Sequence, residues 1–483
     1  MASPHGARVG VGAEAADPVV SFLHELRFED LPDAVIEQAR RCVLDLMAVG
    51  AAGSSTTLSR IVRDHAVGHF GAGASAARMM FDGRRVSPPG AALAGGMTID
   101  SIDAHDGHPL TKGHAGAAVL PSVLACADCA DDGEAIGGHE LLTVLVVGYE
   151  IATRAGLALH ATAADYHSSG AWSALACAAV AARLLRLDQA ATGHALGIAE
   201  YHAPRSPMMR CIDHPTMVKD GSGWAAMAGV DAAYLAADGF TGSPAALLER
   251  GADDVWADLG ARWRIMEHYT KPYPVCRWAH PAVDAALALR QGLSQPSAAL
   301  VERVEVETFA PAVRLATRRP ATTEEAQYSL PFCVAAALVH GRLGVSEIDG
   351  MGLRDGEVAR LSTSMTIWER PSYSERFPAE RCAQVTLVLR DGHHVVTEIA
   401  SAKGDPNDPL SAAELDEKYR SLTEPALGRD GSDRIRAAVS ALGAADSTVG
   451  RLLDAVFQAP ALVRPEGPAY TARRAQHLAR TWQ

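Results

Sequence analysis

From residue 30 to residue 239 the chain keeps returning to one pattern: apolar and small residues at helical spacing, interrupted by Gly, Pro or a capping polar residue. The run DLPDAVIEQARRCVLDLMAVG, residues 30–50, places Val35, Ala39, Cys42, Val43, Leu46 and Met47 on one face. Comparable segments lie near 56–70, 90–100, 115–130, 138–160, 170–187, 189–199 and 222–239. Their Ala and Gly content lets helix axes approach closely, so the region reads as a tightly packed helical domain. No repeat of 20–50 residues stands out.

The texture changes near residue 270. VERVEVETF, 301–309, alternates with period two and reads as a strand. QVTLVLRDGHHVVTEIA, 384–400, is two alternating runs around Asp391-Gly392, a hairpin signal. Between them Leu330–Leu338 reads as a helix and 344–361 as mixed. GDPNDPLS, 404–411, reads as a linker; Ser411 and Glu414 then form a capping box and helices resume. The expected organisation is a helical domain over 1–268, a smaller α+β lid over 269–403, and a segment, 404–483, returning to the first domain. The fold class is therefore mainly α with an inserted α+β domain.

Charge and cysteine use limit the function. The chain has 483 residues, 48% hydrophobic and 21% charged, which excludes wholesale disorder. A net charge of −13 argues against nucleic acid or an anionic membrane as partner. Apolar runs are broken by Gly, Asp or Arg before reaching the ~18 residues of a membrane span. MASPHGARVGVGAEAAD lacks a signal peptide's apolar stretch and reads as a frayed tail. Of eight scattered cysteines, Cys126 and Cys129 make one CxxC inside a helical pattern, with no second pair for a zinc ribbon. Buried, reduced thiols and a cytoplasmic setting are expected.

Four segments concentrate ionisable groups. SIDAHDGHPLTKGHAGAAVLP, 101–121, holds two aspartates, three histidines and a lysine between Asp103 and His114, against the start of an apolar helix. Burying so many such groups is costly without a purpose. Asp103, His105, Asp106, His108 and His114 are potential metal ligands, but their spacing matches no zinc or di-iron signature. Proton transfer on a carboxylate substrate is the other reading: His exchanges protons near neutral pH, Asp orients His, and Lys holds an anion. In ADYHSSGAWSALACAAVAARLLRLD, 164–188, His167 precedes a helix start where exposed N–H groups favour an anion. HAPRSPMMRCIDHPTMVKDGSGWAAMAG, 202–229, supplies Arg205, Arg210, His214 and Lys219 among methionines and Trp224, a mix suited to a pocket wall. YTKPYPVCRWAHPAVDAALAL, 269–289, supplies Lys271 and His280. Of 44 basic residues only five are lysines, and three of these, Lys112, Lys219 and Lys271, fall inside the four segments. A compact ammonium is a specific requirement at such positions.

Six segments in register resemble the MmgE/PrpD family: DAHDGHPLTKGHAGAAVLP, YHSSGAWSALACAAVAARLLRLD, ALGIAEY, MVKDGSGWAAMAGVDAAYLAADGFTG, KPYPVCRWAHPAVDA and AQYSLPFCVAAAL. The resemblance spans roughly 18–470. It implies a helical domain built from both chain ends, an inserted α+β lid, a homodimer, an active site between the domains, and no cofactor or metal. It maps catalytic roles onto Asp103, His114, His167, Lys219 and His280, with Lys271 and Tyr328 nearby. Arg205, Arg210 and His108 join Lys271 and Tyr328 as candidate substrate-binding residues. The chain departs from the family at two places. Many members read Asp-Asp-Thr-His where this chain has His105-Asp106-Gly107-His108, and many carry a histidine just beyond the lysine, where this chain continues Lys219-Asp220-Gly221-Ser222-Gly223.

The implied activity is that of a lyase on a small di- or tricarboxylate, with dehydration placed ahead of decarboxylation. His114 and His167 would move protons, Asp103 would orient one of them, Lys219 and Arg210 would bind carboxylates, and His280 would arrive with the lid. The alternatives are an epimerase of an imino- or amino-dicarboxylate and a non-catalytic carboxylate-binding homologue.

Overall fold

The computed structural model describes residues 17–129, 136–249, 253–292, 298–444 and 446–457. The N-terminal tail up to residue 16 and the end of the C-terminal segment lie outside them. The helical part runs α1 (Pro18–Glu25), α2 (Asp33–Gly53), α3 (Thr57–His69), a two-stranded ribbon of β1 (Ala77–Arg78) and β2 (Arg85–Val86), α4 (Pro88–Asp100), α5 (Gly116–Asp128), α6 (Gly138–Thr162), α7 (Gly170–Leu184), α8 (Gln189–His202), the short α9 (Met209–Asp213) and α10 (Ser222–Ala237). Local chemistry sets the ends. Thr56, Ser87 and Asp188 accept N-terminal N–H bonds of α3, α4 and α8, and Pro88 fills the first turn of α4, where no donor is needed. That proline starts α4 two residues ahead of the apolar pattern.

α6 corrects one expectation. Its apolar window is long enough to cross a membrane, yet 94% of that window is buried inside the molecule. Its interrupting charges, Glu150 and Arg154, are buried too and face each other at 3.3 Å. It is a core helix.

Two hydrophobic cores form. The larger gathers α1 through α8 and α10 together with Tyr419, Leu422, Ile435 and Val439 of the helix Ala412–Ala441, which packs along α2 and is kinked at Gly428. Ser411 and Glu414 close the capping box at its start. The smaller core belongs to the α+β part, and it recruits Met208 and, from α9, Ile212. Its sheet has β3 (Val301–Thr308) at the centre, parallel to β4 (Thr366–Glu369) on one side and antiparallel to β5 (Cys382–Leu389) on the other. β5 turns at Gly392, φ +86°, into β6 (His394–Val396), and its start pairs with β7 (Ala400–Ser401). Helices His280–Gly292 and Leu330–His340 pack together beside this sheet. All eight cysteines are free.

Small residues let α4, α7 and α10 lie nearly against one another. A Cβ on Gly223 would stand 2.7 Å from the Leu93 carbonyl oxygen and 2.8 Å from the Met97 nitrogen, both backbone atoms of α4. A Cβ on Gly96 would stand 2.6 Å from the Gly223 Cα. The close crossing brings the start of α10 to the end of α4. Gly223→Ala should therefore cost about 1–3 kcal/mol of unfolding free energy through overpacking against backbone. Gly68→Ala, on an exposed turn of α3 with nothing within 4 Å, should be neutral or stabilising by up to about 1 kcal/mol. Urea titration of the two variants checks the contrast, and equal behaviour would refute the close-packing argument.

Candidate active site

Four chain segments converge where these helices end: the turn after α4 and the loop to α5, residues 101–115; the start of α7; the stretch 204–221 before α10; and the connection 269–280 into the α+β part. The convergence strains the backbone. Asp103, Lys112 and Lys219 all have left-handed φ, at +50°, +54° and +54°. Side chains other than glycine reach that region at a cost of about 1–3 kcal/mol, and such residues cluster at functional sites.

Asp103 and Lys271 form the centre. The Lys271 ammonium, fully buried, donates to Asp103 Oδ1 at 2.5 Å and to the Asp103 carbonyl at 2.9 Å. Burial alone would raise the Asp103 carboxyl, but Lys271 and then Lys219 more than offset it and hold the group well below the usual carboxylate range. His105 donates through Nε2 to Asp100 Oδ1 at 3.2 Å, with Asp103 Oδ1 at 3.7 Å, and meets the His114 ring edge-on, centroids 4.3 Å apart.

His114 has a fixed tautomer. Its Nδ1–H donates to the Asp106 carbonyl at 2.6 Å, so Nε2 keeps its lone pair and has no hydrogen-bond partner among the described residues. Burial, then the neighbouring His105 and Lys271, lowers its proton affinity well below that of free imidazole. Its backbone N–H is anchored on Ser169 Oγ at 2.9 Å, and Ser169 donates from both N–H and hydroxyl to Asp220. Burial and the nearby Asp100 push Asp220 up to about 7. Lys219 donates to the Gln327 side-chain carbonyl and lies over the Tyr328 ring, 4.8 Å from its centroid.

A cavity of about 20 Å³ is lined by Asp103, His114, Lys271 and Tyr328, by Lys112, and, unforeseen, by Tyr166, Tyr269, Arg277, Trp278 and Arg381. Arg277 and Arg381 stack on the Tyr269 ring, 4.5 and 5.8 Å from its centroid. Met208 lines this cavity and also a neighbouring cleft of about 310 Å³ with Ser168, Arg210, His214, Lys219 and Trp224, so it is the partition between them.

Other sequence candidates lie elsewhere. His280 is fully buried with both ring nitrogens engaged: Nε2–H donates to the Val275 carbonyl at 3.1 Å and Nδ1 accepts from Arg277 at 3.3 Å. His167 donates through Nδ1 to the Asp165 carbonyl at 2.8 Å and does not line the cavity. His108 bonds Glu267 at 3.0 Å, and burial lowers it to about 4. Arg205 is exposed; Arg210 lines only the outer cleft. Asp103, His105 and His114 carry ligand atoms within 4.8 Å of one another. There the Lys271 ammonium already supplies the positive charge that a cation would bring to Asp103. The signal for Lys112 and Arg277 was present, in the scarcity of lysine and in CRWAH; a lone arginine at the head of a strand, Arg381, carried none.

Removing one partner of a buried ion pair strands the other. Lys271→Met is expected to cost about 3–5 kcal/mol, and adding Asp103→Asn should recover a large part of it. Denaturant titration of the single and double variants tests this; a double variant no better than Lys271→Met would show that the pair is not the source of the loss.

The model of the MmgE/PrpD N-terminal domain matches residues 18–258, and that of the MmgE/PrpD C-terminal domain matches residues 273–444. A human cis-aconitate decarboxylase is 26% identical over 430 residues, covering 84% of this chain and 87% of its own. A cis-aconitate decarboxylase-like protein of Aspergillus oryzae is 24% identical over 461 residues, covering 87% and 93%. A cis-aconitate decarboxylase of Aspergillus terreus is 24% identical over 451 residues, covering 86% and 90%. With both halves matched in order across nearly the whole described chain, the protein belongs to the MmgE/PrpD family.

Proposed function

We propose that the protein is a lyase that breaks a bond beside a carboxylate of a small di- or tricarboxylate, with decarboxylation of a cis-aconitate-like substrate as the favoured reaction. The observation that carries this reading is the cavity wall. Lys112, Lys271, Arg277 and Arg381 face a space bordered by a single carboxylate, Asp103, which Lys271 already neutralises. In a chain of net charge −13 such a local excess of cations selects a polyanion. The names of the relatives move decarboxylation ahead of dehydration.

In the step we envisage, the departing carboxylate lies against Met208, Ile212 and Trp278, where loss of its charge as CO2 is favoured. The electron pair left on carbon is delocalised toward a neighbouring carboxylate held by the cations. His114 then delivers a proton from Nε2 to that carbon, and the imidazole recovers a proton from solvent. The net change is one carboxylate and one proton converted to one C–H bond and CO2. The empty cavity keeps His114 neutral; a bound polyanion reverses the local field and raises its proton affinity. One water fills about 20 Å³, so substrate enters only when the partition at Met208 moves and the outer cleft joins the cavity. That movement would bring Arg210 and Lys219 to the substrate. A two-base epimerase needs a second proton-transfer group facing His114; His114 is the single imidazole among the described residues that line the cavity, and a lysine or tyrosine there would have to take that role.

With cis-aconitate as test substrate, His114→Ala should lose about 10²–10⁴-fold in turnover. His167→Ala should lose less than about tenfold. Trapped CO2 measured against substrate consumed gives the stoichiometry; solvent deuterium entering recovered substrate with no CO2 released would replace the lyase with the epimerase. Substrate-analogue binding should also take up a proton between about pH 5 and 7, read by calorimetry in buffers of different ionisation enthalpy. A heat independent of buffer would remove His114 from the proton transfer.

A further inference from the structure

Lys112 stands apart from the other four lysines. Lys219 donates to Gln327, Lys271 to Asp103, Lys403 to Glu414 and Lys418 to Asp45 and the Ala104 carbonyl. No oxygen among the described residues accepts from the Lys112 ammonium, although it is half-buried and borders the cavity. The rest of the residue is tightly held. The loop 108–113 closes on itself, with His108 N–H on the Gly113 carbonyl at 2.9 Å and Lys112 N–H on the His108 carbonyl at 3.0 Å. Tyr166 donates its hydroxyl to the Lys112 carbonyl, and the ammonium sits over the same ring, 4.4 Å from its centroid. The left-handed φ at this position is what turns the side chain of a loop tip inward onto Tyr166.

Arg381 comes to the same loop from the α+β part. It is 1% exposed, donates to the Pro109 carbonyl at 3.0 Å and the Pro378 carbonyl at 3.1 Å, and leaves its Nε–H buried without an acceptor. No carboxylate lies within ion-pair distance of either cation among the described residues. Two desolvated cations and an orphaned donor beside one cavity are an unfinished arrangement, and a carboxylate completes it.

We propose that Lys112 and Arg381 form a second carboxylate subsite of the cavity, holding the arm of a tricarboxylate that the Lys271 side does not hold. This rests on the polycarboxylate reading above and adds to it a choice between three carboxylates and two. Lys112 is then a specificity residue supplied by the loop 108–113.

Calorimetric titration of the full-length protein with citrate and with succinate tests the assignment. In Lys112→Met, citrate affinity should fall about 10–100-fold, the range of a charge-assisted hydrogen bond, while succinate affinity changes less than about twofold. Lys112→Arg should restore most of the citrate affinity. Lys112→Gly should lose citrate likewise and yet melt no lower than the parent, because glycine accepts the left-handed φ without strain. Citrate binding that survives in Lys112→Met or Lys112→Gly would overturn the subsite, as would equal losses of citrate and succinate. A parent protein that binds neither acid would overturn the polycarboxylate reading itself, and the subsite with it.

Discussion

A lysine ammonium and an aspartate carboxylate share the inside of this protein, and most of the site depends on that pairing. Neither Lys271 nor Asp103 has contact with solvent to speak of, so each would be ruinous alone. Together they fix the turn after α4, because the ammonium holds both the carboxylate and the carbonyl of one residue. They also fix the sign of the local field. Burial first, and then the neighbouring His105 and Lys271, keep the His114 ring neutral while the cavity is empty, against the opposing pull of the ionised Asp103. The pair spans the two parts of the molecule: Asp103 belongs to the helical core, and Lys271 lies at the entry to the α+β part.

That pairing needs helices that end at one place, and glycine and alanine arrange it. α4, α7 and α10 touch backbone to backbone near Gly96, Gly170 and Gly223. A Cβ on Gly170 would stand 2.8 Å from the Gly221 carbonyl oxygen, so α7 begins directly against the turn that carries Lys219 and Asp220. Asp220 can then bind the first turn of α7 through Ser169, and Ser169 in turn positions the His114 backbone. Packing between small residues thus becomes the placement of an imidazole.

Much of this was legible in the sequence because it was local. The long helices, the Asp391-Gly392 hairpin and the Ser411/Glu414 capping box follow from period and turn chemistry. Asp103, His114, Lys271 and Tyr328 could be gathered in advance only through the family resemblance, and the cavity unites them. What escaped was non-local. β4 is four residues long, too short to show an alternation, and exists because β3 offers it a parallel edge. Met208 and Ile212, at and in the short α9 of the helical part, serve the other core. His280 was expected to complete the site from the lid. Its two nitrogens instead join the Val275 carbonyl to Arg277, a role visible only from the angles of neighbouring groups.

The departure at Gly107 shows how a family frame is adapted rather than lost. Where many relatives place a threonine, a Cβ here would stand 2.4 Å from the Tyr269 hydroxyl oxygen and 2.7 Å from His114 Nδ1. Glycine is what allows Gly107 and Tyr269 to pair as an isolated bridge, with N–H bonds of 3.2 and 2.8 Å. Tyr269, drawn in this far, offers its ring to both Arg277 and Arg381. Both arginines keep a buried Nε–H without an acceptor, but Arg277 is tied to Asp405 and to two carbonyls, whereas Arg381 donates to carbonyls alone. Gly107 thus lets Tyr269 reach the edge of the cavity, where its ring meets both guanidiniums.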